Sequence, residues 1–114
     1  TDGENKRLLP LYPACGFDVA ESFCPAPMTK VTLAEMLEGL RPKTTVWGGV
    51  PSVALLDDAM TDTVFARHLD VLFASIGPGD HLILGVSDNV PPDANLERLA
   101  EIKQRVEAFG PISP

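Results

Sequence analysis

Among 114 residues only two are cysteine, Cys15 and Cys24, and their spacing matches neither a CxxC metal clip nor a disulfide framework. The chain is therefore expected to carry two free thiols and to belong in a reducing cytoplasm. No apolar run approaches the ~20 residues that a membrane span requires, and Thr1 to Arg7 is too polar to open a signal peptide. Basic residues are scarce as well, 9 against 16 acidic, for a formal net charge of -7. That balance repels phosphate backbones and anionic lipid surfaces, so neither nucleic acid nor membrane is an expected partner.

What is present suits one small α/β domain. Apolar residues make up 45% of the chain, enough for a modest core. Leu8, Leu9, Leu11 and Tyr12 suggest a core-facing helix over 4–14, interrupted by Pro10 and Pro13. Gly16 ends it, and 17–22 reads as a short strand that delivers Glu21 and Ser22 to its far end. Thr32-Leu33-Ala34-Glu35 fits a capping box, since the threonine hydroxyl and the glutamate can satisfy each other's backbone amides; a helix over 33–40 should follow and stop before Pro42.

Thr44 to Trp47 is β-branched and aromatic, which predicts a strand that turns sharply at Gly48-Gly49. Ser52 can start a short helical turn through Leu56. Val64, Phe65, Leu69, Val71, Leu72, Phe73 and Ile76 recur at helical spacing up to Gly77-Pro78-Gly79, a helix stop. A third strand is expected over 81–86. Leu96, Leu99, Ile102, Val106 and Phe109 then stripe one face of a helix that Gly110-Pro111 ends, leaving 111–114 as a tail. Each crossover is long enough to require parallel neighbours, so the fold class is α/β built from repeated βα units.

In parallel α/β folds ligands gather at the carboxyl ends of strands. That places function first around Ser87, Asp88 and Asn89, where the strand 81–86 leaves its apolar run. Asp88 is a candidate acid, base or metal ligand, with an Asx turn or helix cap as the plainer role. Glu21 is a second catalytic candidate, with Ser22 and the Cys24 thiol close behind it. Gly48 and Gly49 allow backbone to approach a ligand closely, although a tight turn explains them as well. Trp47 has two readings, the wall of a pocket for a flat macrocycle or core packing. His68 and His81 read as non-catalytic, and Asp57, Asp58 and Asp62 as solvated.

Several segments, taken in order, resemble the C-terminal part of the uroporphyrinogen decarboxylase superfamily. They are Asp2-Gly3, Gly16-Phe17-Asp18-Val19, Trp47-Gly48-Gly49-Val50-Pro51-Ser52 with Leu55-Leu56, and Ile83 through Ala94. The resemblance implies a (β/α)8, or TIM, barrel, of which a complete copy needs about 250 residues. Residues 1–114 would supply about three βα units, and the start at Thr1-Asp2-Gly3 without methionine would be a strand exit within a longer protein. The remainder of the barrel, or a second copy of the chain, would then be the expected partner, because the sheet is left with open edges.

Relatives in that superfamily decarboxylate porphyrinogens without a cofactor, or transfer methyl groups between a corrinoid protein and a thiol. The implied substrate is a tetrapyrrole or another small molecule, and the implied cofactor is a divalent metal, a corrinoid on a partner protein, or none. Zinc-dependent members hold their metal with a His-x-Cys motif and a later cysteine. The cysteine positions correspond here to Asp2 and Asp88, which makes them the metal candidates, with oxygen in place of thiolate. Asp88, on strand position and this match, and Glu21, on strand position, are the catalytic candidates, and Ser87, Asn89, Gly48, Gly49 and Trp47 are the substrate-contact candidates. A non-catalytic α/β binding or assembly module is the alternative.

Overall fold

Long crossovers and apolar strands set the architecture. In the computed structural model, which describes residues 4–87 and 89–111, a 3-10 turn (Leu9–Leu11) and a one-turn helix α1 (Tyr12–Cys15) lead into strand β1 (Val19–Phe23). Helix α2 (Leu33–Leu40), β2 (Thr45–Val50), a 3-10 turn (Ser52–Leu55), α3 (Asp62–Ser75), β3 (Leu82–Val86) and α4 (Leu96–Phe109) follow. The strands form one parallel sheet in the order β1-β2-β3, with Ala20, Val46 and Leu82 in one row and Glu21, Trp47 and Ile83 in the next.

The capping box forms as the sequence dictates: Glu35 N donates to Thr32 Oγ1 at 3.1 Å and Thr32 N donates to Glu35 Oε1 at 3.1 Å. The Thr32 amide and then its hydroxyl, both donating to Glu35 Oε1 at 3.1 Å, hold that carboxyl below its usual range. Two expectations are corrected. The first helix shrinks to Leu9–Cys15, because Pro10 and Pro13 lack the amides a longer helix needs. Strand β2 does not turn at Gly48-Gly49 but runs through both glycines to Val50, at φ of 144° and 94°.

Alternation along the strands separates two unlike faces. Val46 and Val50 are wholly buried, and with Ala20, Leu82, Leu84 and Val86 they pack against Leu33, Met36, Leu37 and Leu40 of α2 and Phe65, Leu69 and Leu72 of α3. On the other face Val19, Trp47 and Ile83 remain 43%, 48% and 47% exposed, beside an exposed Glu21. No core cluster forms on that face among the described residues, and Tyr12 and Phe17 border Val19 and Glu21 there. At its outer edge β1 bulges: Glu21 pairs with Trp47 and Phe23 with Gly48, which leaves Ser22 as an extra residue at φ 59°.

Helix α4 meets the sheet by a different device than its apolar stripe suggests. Ile102 is buried and Leu99 half-buried, but Leu96, Val106 and Phe109 stay exposed. The helix is turned so that Arg98, 3% exposed, points inward. Its guanidinium donates to the carbonyls of Ala54 (2.8 Å), Leu56 (3.3 Å) and Met60 (2.7 Å) and stacks over Phe65 at 4.8 Å. Asp57 and Asp62, expected to be merely solvated, lie 3.1 Å and 3.0 Å from the same group. Both carboxylates face water, so their attraction is screened, and the carbonyl bonds carry more of the stabilisation.

Arg98→Ala is expected to lower the unfolding free energy in urea by about 2–4 kcal/mol, by leaving buried carbonyls unpaired and a void behind. Arg98→Lys should recover little of it, since one ammonium cannot fork across three acceptors. A loss of about 0.5 kcal/mol or less in either variant, the size of an ordinary surface change, would contradict this role.

Candidate functional site at the strand tips

Parallel pairing brings the carboxyl ends of all three strands to one rim. Ser87, the first residue past β3, is wholly buried there. Its hydroxyl donates to the Phe23 carbonyl at 2.7 Å and accepts from the Gly49 amide at 3.1 Å, while its own amide donates to the Val50 carbonyl at 2.8 Å. One side chain thereby ties the tips of β1, β2 and β3 together. Gly48 makes room for it: a Cβ at Gly48 would lie 2.7 Å from the Phe23 carbonyl oxygen and 2.9 Å from Ser87 Oγ. Residue 49 also needs glycine, because a Cβ there would lie 3.1 Å from a Leu33 methyl, on backbone at positive φ.

The sequence candidates thus divide. Ser87, Gly48 and Gly49 meet at the rim, where their geometry joins strands. Asn89 lies just past it and is exposed. Glu21 and Trp47 are paired across β1 and β2 on the bare face, away from that buried cluster. The indole of Trp47 reaches over Gly85, where an added Cβ would touch its Nε1 at 3.7 Å, so the glycine leaves a flat apolar floor beside the ring. Asp88 and Asp2, the metal candidates, lie outside the described residues. Among the described residues no three His, Cys, Asp or Glu side chains converge as a metal cage.

The sequence did not single out Met28, and marked Ser52 only as the start of a helical turn. Cys24, 4% exposed, places Sγ 3.5 Å from Met28 Sδ, and Ser52 Oγ lies 3.2 Å from the same sulfur. Thr29 Oγ1 donates to the Cys24 carbonyl at 2.8 Å and fixes the loop. The exits of β1 and β2 are linked through this thioether. The four-residue spacing of Cys24 and Met28 in Cys-Pro-Ala-Pro-Met was the available signal, and a loop with two prolines gave no periodicity to interpret it. Burial makes the Cys24 thiol a packing group rather than an open nucleophile.

Compared with protein-family models, with curated proteins and with solved structures, the chain matches none. None of the described helices is long and apolar enough to cross a membrane.

Ser87→Ala is expected to cost about 1–3 kcal/mol in denaturant unfolding, since it strips a buried carbonyl and a buried amide of their shared partner. Gly48→Ala should cost at least as much, through the clash at 2.7 Å with backbone. Equal stability of both variants and the parent chain would contradict the pinning role.

Burial lowers the His68 pKa from its ordinary 6.5, and Nε2 of that ring is buried without a hydrogen-bond partner. The unfolded chain therefore takes up this proton first as pH falls. Its contribution to stability is full above about 6.5 and declines as pH drops from there to the lower folded-state pKa. The His68→Gln variant should lose that part of the slope in unfolding measured from pH 7.5 to 5. An unchanged slope would contradict it.

Proposed function

We propose that this chain forms part of the wall of a uroporphyrinogen-decarboxylase-like (β/α)8 barrel, and that the bare face of its sheet lines a pocket for a tetrapyrrole carboxylate. The observation that carries the reading is the one-sided sheet. Three parallel strands in sequential order keep their helices on one face and leave Glu21, Trp47 and Ile83 in a row on the other. In a closed barrel that second face turns inward. The open edges of β1 and β3 would be completed by the rest of the barrel, with a second copy of the chain as the other way to cover them.

Decarboxylation suits what this face offers. Trp47 and the side-chain-free surface at Gly85 give a flat apolar contact, the kind that holds a conjugated ring system. When the carbon–carbon bond to a carboxylate breaks and carbon dioxide leaves, its electron pair stays on carbon and needs a proton. Glu21, on the same face, is the group assigned to deliver it and to be reloaded from water. By the resemblance, Asp88 would orient the substrate or share that task.

The test uses the protein from the complete reading frame. Given uroporphyrinogen, it should release porphyrinogens with fewer carboxylates, resolved chromatographically. Glu21→Gln should cut turnover about 100-fold or more, and Trp47→Ala should raise KM more than it lowers kcat. Methyl transfer from methylcobalamin to a thiol, without decarboxylation, would replace this reading with the corrinoid one. Turnover of neither substrate would overturn both and leave the α/β assembly module.

A further inference from the structure

Three of the nine basic residues of this acidic chain meet in one recess. Lys6, Arg7 and Lys30 line it together with Glu4, around a volume of about 350 Å³. Glu4 is the residue that brings them together. Its Oε2 accepts from the Lys6 amide at 3.1 Å and its Oε1 from the Lys30 amide at 2.8 Å, so one carboxylate clips the segment before α1 to the loop between β1 and α2, 26 positions away in sequence. The Lys6 amide above all, with the Lys30 amide and charge, holds that carboxyl below its usual range and keeps it ionised at neutral pH. Because the loop leaves β1 at its carboxyl end, the recess lies at the strand-tip end of the sheet, where ligands of parallel α/β folds gather.

The three cations are available to a ligand. Arg41, Arg98, Lys103 and Arg105 are each in an ion pair, but among the described residues Lys6, Arg7 and Lys30 are in none, and all three are exposed. Glu4 has both oxygens on backbone amides, and Oε1 of Glu35, a second carboxylate near enough to feel the Lys6 charge, is bound by Thr32. Three like charges in one recess repel one another, and an anion that reaches all three relieves that repulsion. Size narrows the choice. The recess is larger than one carboxylate or phosphate group, so a molecule carrying two or three such groups can meet all three cations at once. A long polyanion is disfavoured, because beyond the recess it meets a chain of net charge -7.

We propose that Lys6, Arg7 and Lys30 form a binding site for a small polyanion, a molecule that bears two or three carboxylate or phosphate groups. Arg7 supplies a planar fork that grips two oxygens of one group, and each lysine takes a further charge. The site does not depend on the barrel reading, because the three cations and the Glu4 clip that gathers them all lie within 4–30.

Citrate, pyrophosphate and acetate, titrated into the chain at neutral pH and followed by amide chemical shifts, test it. Citrate is expected to shift residues 4–7 and 29–31 saturably and to bind about tenfold tighter than acetate, for the two further charge pairs it makes. Raising the salt from about 20 to about 200 mM should weaken it. Lys30→Gln and Arg7→Gln, both at exposed positions where folding is checked by circular dichroism, should each weaken citrate about threefold. Lys43→Gln, which removes the same charge before β2 at the opposite end of the sheet, should leave citrate binding unchanged. Whichever of citrate and pyrophosphate binds tighter identifies carboxylate or phosphate as the preferred group. Acetate binding as tightly as citrate, shifts that spread over the surface without saturating, or an equal loss in Lys43→Gln would each overturn the proposal.

Discussion

The buried hydroxyl of Ser87 is the constraint on which the rim of this molecule depends. A serine in an apolar interior is unfavourable unless both its proton and its lone pairs find partners. Here the proton goes to Phe23 of β1 and a lone pair receives the amide of Gly49 of β2. Because those partners belong to different strands, the bond can be made only when the strands are parallel and in one register. A residue with any side chain at position 48 would separate the same atoms. Ser87 and Gly48 are therefore two halves of one arrangement, and the Ser22 bulge brings Phe23 into position for it.

A second consequence follows from the pairing of strands with helices. Once α2 and α3 cover Val46 and Val50, the pleat forces Trp47 and its neighbours Glu21 and Ile83 to the opposite side. The molecule thus has a covered face and an uncovered face that carries an acid and the chain's one tryptophan. Arg98 holds the covered side closed at its far end by gathering the loop between the Ser52–Leu55 turn and α3.

Much of the fold was legible from local chemistry. The Thr32-Glu35 box marked the start of α2, and the Gly77-Pro78-Gly79 and Gly110-Pro111 stops bounded α3 and α4 to within a residue or two. The rest required tertiary information. Gly48-Gly49 has the composition of a turn, and only the approach of Ser87 explains glycine inside a strand. Arg98 stands among apolar positions that made it look incidental, while the carbonyls it serves are over thirty residues away in sequence. At the candidate site, the sequence correctly drew Ser87, Gly48 and Gly49 to the strand tips, but polarity and backbone freedom do not distinguish a ligand contact from a bond between strands.

The most direct test of parallel strand tips tied together by one buried hydroxyl is a proton NMR spectrum of the folded chain. The structure requires a Ser87 hydroxyl proton that exchanges slowly with water and shows a nuclear Overhauser contact to the Gly49 amide, alongside contacts between Trp47 and Ile83 in the parallel register. A hydroxyl in rapid exchange with solvent, or contacts that pair these strands antiparallel, would contradict it.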